Sequence, residues 1–160
     1  NGVDVNAQLH FVLPKDFYLT AKAQYTYQTA IDVTDPNDSY YGDQIPYIPW
    51  HSGSAVGMFG WQNDWQQYGL NYSFIYVGER YNQQENIIYN YTQPWYTHDL
   101  SVFGEWEFRT KNKESGIKTK YPIALRVALD INNLLSQDYD VILNYPMPKR
   151  NYKCTVSITY

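Results

Sequence analysis

The sequence predicts an all-β chain, an antiparallel up-and-down meander of about seven strands, and three observations carry that expectation. Apolar and polar residues alternate at period two in seven stretches, whereas helical spacing is nearly absent. Each stretch is bounded by turn residues or a polar loop. Aromatic residues make up 18% of the chain, with 18 Tyr, 5 Trp and 6 Phe, while charged residues stop at 18%, below the usual quarter, so disorder is excluded.

In the first stretch Val3, Val5, Ala7, Leu9, Phe11 and Leu13 share one face, and Asp4, Asn6, Gln8 and His10 share the other. Pro14-Lys15-Asp16 makes a tight reversal. The second sets Leu19, Ala21, Ala23, Tyr25 and Tyr27 against Thr20, Lys22, Gln24, Thr26 and Gln28. The third, from about His51 to Gln62, is Gly-rich, with Ala55, Gly57, Phe59 and Trp61 on one row. After Asn63-Asp64, the fourth places Tyr68, Leu70, Tyr72, Phe74 and Tyr76 opposite Gly69, Asn71, Ser73, Ile75 and Val77. The fifth sets Leu100, Val102, Gly104, Trp106 and Phe108 against Asp99, Ser101, Glu105, Glu107 and Arg109, with Phe103 as an apolar exception. The sixth opposes Ile123, Leu125, Val127, Leu129 and Ile131 to Ala124, Arg126, Ala128, Asp130 and Asn132. The last opposes Tyr152, Cys154, Val156, Ile158 and Tyr160 to Lys153, Thr155, Ser157 and Thr159.

Connections alternate in length. Pro14 to Asp16 and Asn63-Asp64 are tight, whereas Asp32 to Trp50, Tyr81 to Pro94 and Ser136 to Pro148 are long and fall on one side of the sheet. Thr110 to Tyr121 is an irregularity, a charged connection of medium length on the short side. No apolar run approaches the roughly 20 residues of a membrane-spanning helix. The net charge of -4 and the lack of a Lys/Arg block argue against nucleic acid as a partner. A single cysteine, Cys154, gives no internal disulfide framework and reads as a small hydrophobe on the apolar row. The start Asn1-Gly2-Val3, with no Met and no leader, is expected of a mature protein or of a piece of a longer one.

Alternation gives the same period whether the apolar row faces a soluble core or lipid. Aromatic placement discriminates. Trp61 and Trp65 flank a tight turn, and Tyr25, Tyr27, Tyr76, Tyr96, Trp106, Phe108, Tyr152 and Tyr160 sit near strand ends on the apolar row. Rings at that position suit headgroup depth, half apolar and half wet, so the apolar row is expected to face outward.

Landmark residues are spread along the chain: Gly2-Val3-Asp4-Val5 opening a strand, Ile45-Pro46-Tyr47-Ile48-Pro49 with His51 after it, and Gly78-Glu79-Arg80-Tyr81 closing a strand. Asp130-Ile131-Asn132-Asn133-Leu134-Leu135, Asp138-Tyr139, Tyr145-Pro146-Met147-Pro148-Lys149-Arg150-Asn151 and the final Tyr160 complete the series. In this order and spacing they resemble the carboxy-terminal part of a TonB-dependent outer-membrane receptor barrel. The family usually has Gly where Lys149 stands. The resemblance implies a barrel of about 22 strands filled by an amino-terminal plug, with uptake energised through TonB. Residues 1-160 are then the carboxy-terminal segment of the barrel domain, with the plug and earlier strands outside it. It further implies location in the cell outer membrane, contact with its lipid, and uptake of a scarce nutrient such as a ferric siderophore or cobalamin. The long loops are then extracellular. A self-contained small β-barrel, structural or ligand-binding, is the alternative.

Tyr40, Tyr41, Tyr47 and Trp50, then Tyr81, Tyr89, Tyr91 and Trp95, then Tyr139 and Tyr145 are the candidate ligand residues, since rings on outer loops can grip a flat ligand. Trp61, Trp65, Trp106, Phe108, Tyr152 and Tyr160 are the candidate membrane girdle. Asp32, Asp35, Asn37, Asp38 and Asp43 offer hard oxygen ligands, but Tyr40 stands where an EF-hand needs Gly, so a solvated acidic loop is expected. His10, His51 and His98 are too dispersed to share a metal, and His51 is expected at a strand end. No nucleophile elbow or carboxylate pair can be placed, so no enzyme, cofactor or metal is expected. Glu105, Glu107, Arg109 and Arg126 are expected to form a charge ladder inside the barrel.

Overall fold

The computed structural model describes residues 1–108 and 123–160. Arg109 and the charged connection at 110–121 lie outside the described residues. Alternation builds β1 (Gly2–Val12), β2 (Phe17–Gln28), β3 (His51–Gln62) and β4 (Gln66–Val77). Two short strands follow, β5 (Arg80–Tyr81) and β6 (Tyr91–Thr92), then the long β7 (Trp95–Phe108) and β8 (Ile123–Asn132). The chain closes with the short β9 (Asp140–Ile142) and β10 (Tyr145–Pro146) and the long β11 (Asn151–Thr159). The seven long strands form one sheet in the order β1-β2-β3-β4-β7-β8-β11, every neighbour antiparallel. Among the described residues there is no α-helix, and Ile88–Asn90 is a single 3-10 turn.

Strand pairing keeps the apolar row on one face across all seven strands. Ala7 lies opposite Ala23, Ala23 opposite Ala55, Ala55 opposite Phe74, and Phe74 opposite His98. Lower in the sheet Leu70, Val102, Leu129 and Cys154 are successive partners. A slip of one residue anywhere would turn a strand's apolar set to the polar face. Among the described residues this face carries no second layer: Val5 is 55%, Leu129 51% and Val156 61% exposed. A sandwich would cover such a row with another sheet. The strands hold 9 to 14 residues, enough to cross a hydrocarbon band at a tilt. The row therefore has the form of a lipid-facing wall.

The opposite face is polar, with Gln8, Lys22, Val56, Ser73 and Asp99 as one set of partners across five strands. Phe103, an apolar exception on this face, lies over Gly69, where a Cβ would collide with its ring, and Tyr18 covers Gly60 in the same way. Each ring occupies space that a glycine vacates on the neighbouring strand, which protects the strand where it has no side chain to pack. Phe103 is the one buried hydrophobic side chain among the described residues. The Arg126 guanidinium sits 4.0 Å above the Phe103 ring and its Nη1 donates to Glu105 Oε2 at 3.2 Å, so one rung of the expected charge ladder is present.

Tight turns form where expected. Lys15 and Asp16 both take left-handed backbone, which suits the twist of a two-residue hairpin turn. At the next turn, Asn63 Oδ1 accepts from the backbone N–H groups of Trp65 and Gln66, both at 2.8 Å. The fifth expected stretch starts earlier, at Trp95, because Tyr96 and His98 continue the apolar row opposite Tyr76 and Phe74. Three long connections remain at one end: loop 1 (29–50), loop 2 (78–94) and loop 3 (133–150).

Candidate functional site

Two regions of this sheet carry side chains beyond simple wall: aromatic belts on the apolar face, and the loop end. Near the tight turns, Trp61 stacks on Tyr68 at 5.8 Å, Tyr68 meets Trp106 edge-on at 5.9 Å, and the Trp106 indole donates to the Tyr68 hydroxyl at 2.9 Å. Phe108 continues this belt opposite Ile123. Near the long loops a second belt runs through Tyr25, Tyr27, Phe74, Tyr76 and Tyr96, with Tyr152 on the last strand. His51 opens β3, accepts or donates at 2.7 Å with the Tyr25 hydroxyl, and lies 5.0 Å from the Tyr27 ring. His98 pairs with the Tyr72 hydroxyl at 2.5 Å and packs against Phe74 and Tyr96. Both imidazoles thus stand in an aromatic belt, which their dispersion in sequence concealed. Trp65 stands in the turn and borders a hollow with His10 and Tyr18, whereas Tyr160 follows the last strand and is almost fully exposed.

The loop end is held by polar groups. Buried Gln44 in loop 1 donates to the Ile48 carbonyl at 2.6 Å and the Glu79 carbonyl at 3.3 Å, while the Asn86 N–H donates to Asp43 Oδ2 at 2.9 Å. These contacts tie loop 1 to loop 2. Arg80, 4% exposed, sends Nη2 into loop 3 and donates to the carbonyls of Asp140 and Val141 at 3.1 and 2.5 Å. Burial holds its guanidinium below its ordinary pKa. Asn133 closes loop 3 by accepting from the Gln137 N–H at 2.8 Å and donating to the carbonyls of Gln137 and Pro148 at 2.8 and 3.3 Å. Its own N–H donates to Asp99 Oδ1 at 2.7 Å, and its φ of 51° lies in the left-handed region that Asn tolerates.

Among the ten candidate ligand residues, the structure brings some together. Trp95 packs against Tyr139 with ring centroids 4.6 Å apart, and Tyr81 meets Tyr91 edge-on at 5.7 Å. Tyr47, in left-handed backbone, donates its N–H to the Tyr81 carbonyl at 2.8 Å. Burial, then Glu79, which accepts from its hydroxyl at 2.9 Å, raises the Tyr91 phenol. Burial and then Asp99 raise that of Tyr139. Tyr40, raised by its hydrogen bond to Asp38, and Tyr41 and Trp50 stay on loop 1 with no ring partner shown, and Tyr89 and Tyr145 project outward, 84% and 69% exposed. Tyr81, Tyr91, Trp95 and Tyr145 lie in strands rather than in irregular loop.

Two carboxylates of the acidic loop bond within it, whereas Asp43 reaches Asn86. Asp32 Oδ1 accepts from the Thr34 N–H and Asp35 Oδ1 from the Asn37 N–H, both at 2.9 Å, and these bonds hold both carboxyls below the usual range. Among the described residues no group of three or more His, Cys, Asp or Glu is placed to hold a metal. Gln44, Arg80 and Asn133 were missed by sequence reasoning. For Arg80 and Asn133 the one signal was a position inside the landmark segments, which Gln44 only adjoins.

A one-layer β wall with a bare apolar face, paired aromatic belts and, among the described residues, three long loops at one end has the form of a transmembrane β-barrel segment. The family model of the TonB dependent receptor-like β-barrel matches residues 1–134, and the chain belongs to that family. It is thereby a protein of an outer-membrane receptor and transporter family rather than of an enzyme family. No curated protein matches the chain.

Proposed function

We propose that this chain supplies barrel wall and extracellular ligand loops to a TonB-dependent receptor that takes up a scarce nutrient, of the kind a ferric siderophore or cobalamin exemplifies. The observation that supports the reading is the union of a continuous exposed apolar row with three long loops packed into one body at a single end. β1 and β11 each have one strand neighbour and do not pair with one another. On this reading further strands join both edges to complete a barrel of about 22 strands. The polar face then lines the lumen and meets an amino-terminal plug, through which TonB delivers energy. Trp61, Trp106, Phe108 and Tyr160 sit at the inner interface and Tyr152 at the outer one, while the loop aromatics from Tyr40 to Tyr145 face the ligand.

The test is uptake of labelled nutrients by cells carrying the intact receptor, with and without TonB. Receptor-dependent uptake that vanishes without TonB, and that falls at least about tenfold when Trp95 and Tyr139 are both changed to Ala, is the expected result. Uptake that persists without TonB, or a double variant indistinguishable from wild type at equal outer-membrane level, overturns the reading.

A further inference from the structure

Loop 3 meets the base of loop 2 at two neighbouring points. Arg80 lies on the outgoing stem of loop 2, opposite Thr92, and Trp95 opens the returning strand, opposite Val77. The Tyr139 ring packs on Trp95 with centroids 4.6 Å apart, and the next two residues, Asp140 and Val141, present their carbonyls to Arg80 Nη2 at 3.1 and 2.5 Å. Among the described residues these are the hydrogen bonds that join loops 2 and 3. The bonds of Asn133, Leu134, Lys149 and Arg150 stay within loop 3 or reach β7.

The Tyr139 ring depends on such a tie. Among the described residues its hydroxyl has no hydrogen-bond partner, so packing and the backbone on either side place the ring. Its carbonyl accepts from the Met147 N–H at 3.0 Å, a bond inside loop 3 that does not fix the loop against its neighbour. Arg80 supplies the fix. It is 4% exposed and makes no ion pair among the described residues, so its charge is engaged by backbone carbonyls alone. A charged donor holds a carbonyl more strongly than a neutral one, and a carbonyl stays in place whatever side chain its residue carries. The stem that bears Arg80 is itself anchored on loop 1: the Glu79 carbonyl accepts from Gln44 Nε2 at 3.3 Å, and the Tyr81 carbonyl accepts from the Tyr47 N–H at 2.8 Å.

We infer that Arg80 is a positioning residue for the ligand rings: by holding the carbonyls of Asp140 and Val141 it sets the adjoining Tyr139 against Trp95 and keeps loops 2 and 3 as one jaw. A ring already held costs a ligand less ordering, so Arg80 acts on uptake through Tyr139 without touching the ligand. This inference rests on Trp95 and Tyr139 belonging to the ligand site.

The experiment uses the intact receptor labelled with 5-fluorotryptophan, in detergent, with Trp95→Phe to assign the Trp95 fluorine signal. Tyr139→Ala gives the position of that signal when the partner ring is gone. Arg80→Met keeps most of the side-chain volume and removes every donor, and exchanging a buried cation for an apolar side chain is often neutral for a fold. The expected result is that Arg80→Met moves the Trp95 signal most of the way to its position in Tyr139→Ala while those of Trp61, Trp65 and Trp106 stay in place. In cells, entry of labelled cyanocobalamin or labelled ferric tris-catecholate falls at least about fivefold in either variant at equal outer-membrane level, and Arg80→Met combined with Tyr139→Ala falls no further than Tyr139→Ala alone. A Trp95 signal unmoved by Arg80→Met overturns the inference. Movement of all four signals also overturns it, since Arg80 would then support the fold at large, and so does an additive loss in the combined variant. If neither probe enters, or Tyr139→Ala leaves entry unchanged, the ligand reading falls, and the fluorine signal alone then upholds or overturns the hold of Arg80 on the ring.

Discussion

Glycines apart, the described residues buried in the wall are Phe103 and Thr97, whereas those buried at the loop end are Gln44, Arg80, Asn90, Thr92 and Asn133, every one polar. In the outer-membrane placement proposed above, lipid takes the part of an apolar core, and the strands of the wall are fixed by ladder hydrogen bonds, register and outward apolar side chains. The loops bury no large apolar side chain and leave Ile31, Ile88 and Leu135 exposed. They are fixed by side chains that satisfy backbone carbonyls and N–H groups directly, each costly to remove because its partner stays behind unsatisfied. The two regions are therefore sensitive to opposite kinds of change: charge on the bare face for the wall, and loss of a polar partner for the loops.

Val102→Arg is the sharpest way to break the wall. Val102 sits mid-strand between Leu70 and Leu129 on the apolar face. Arg there is expected to cost about 2–4 kcal/mol at the bilayer midplane. Ser101→Arg, one residue away but on the polar face beside Asn71 and Asp130, is expected to cost well under half of that. Denaturant unfolding of the intact receptor in lipid vesicles measures both, and equal effects would refute the assignment of faces.

Asn133→Ala breaks the loop end while sparing the wall. It removes a side chain that bonds Gln137 and Pro148 and forces Ala into left-handed backbone, for an expected loss of about 1–3 kcal/mol. Loop 3 should become open to protease and to amide exchange, with β8 and β11 still protected. Asn133→Gly, which tolerates the backbone but lacks the amide, separates the two causes. If protection of the strands fell with that of the loop, the division between the regions would be wrong.

The smallest effect concerns acid. Asp32 and Asp35 are held below the ordinary Asp value of about 3.9 by the N–H groups of Thr34 and Asn37. A depressed folded value means that these turns contribute fully above that ordinary value and lose their contribution as pH falls through the lower folded values. Amide shifts of Thr34 and Asn37 should then hold steady from pH 7 to pH 5 and change only below about pH 4. Asp35→Asn, which keeps an acceptor and cannot titrate in this range, should flatten the response of Asn37.

How much was legible follows from the same contrast. Period two needs only neighbouring residues, so the bounds of β3 and β8 and the two tight turns could be read directly. The start of β7 was misplaced because Trp95 interrupts the polar row and His98 the apolar one, and only pairing with β4 shows His98 continuing the row that Tyr96 begins. In the candidate site, composition marked Tyr81, Tyr91, Trp95 and Tyr139 as ring-bearing loop residues. Which ring meets which was not readable, since Trp95 and Tyr139 lie far apart in sequence and meet where loop 3 folds back over β7.

The sequence by itself determined the strands, their alternating faces and the end to which the long loops belong, because each depends on local pattern. Tertiary structure alone decided that Arg80 reaches into loop 3, that Asn133 closes it, and that Phe103 and Tyr18 cover glycines of neighbouring strands. Those contacts arise between segments whose spacing in sequence is arbitrary, and a buried polar group finds its partner only once the register of the sheet has brought the loops to one end.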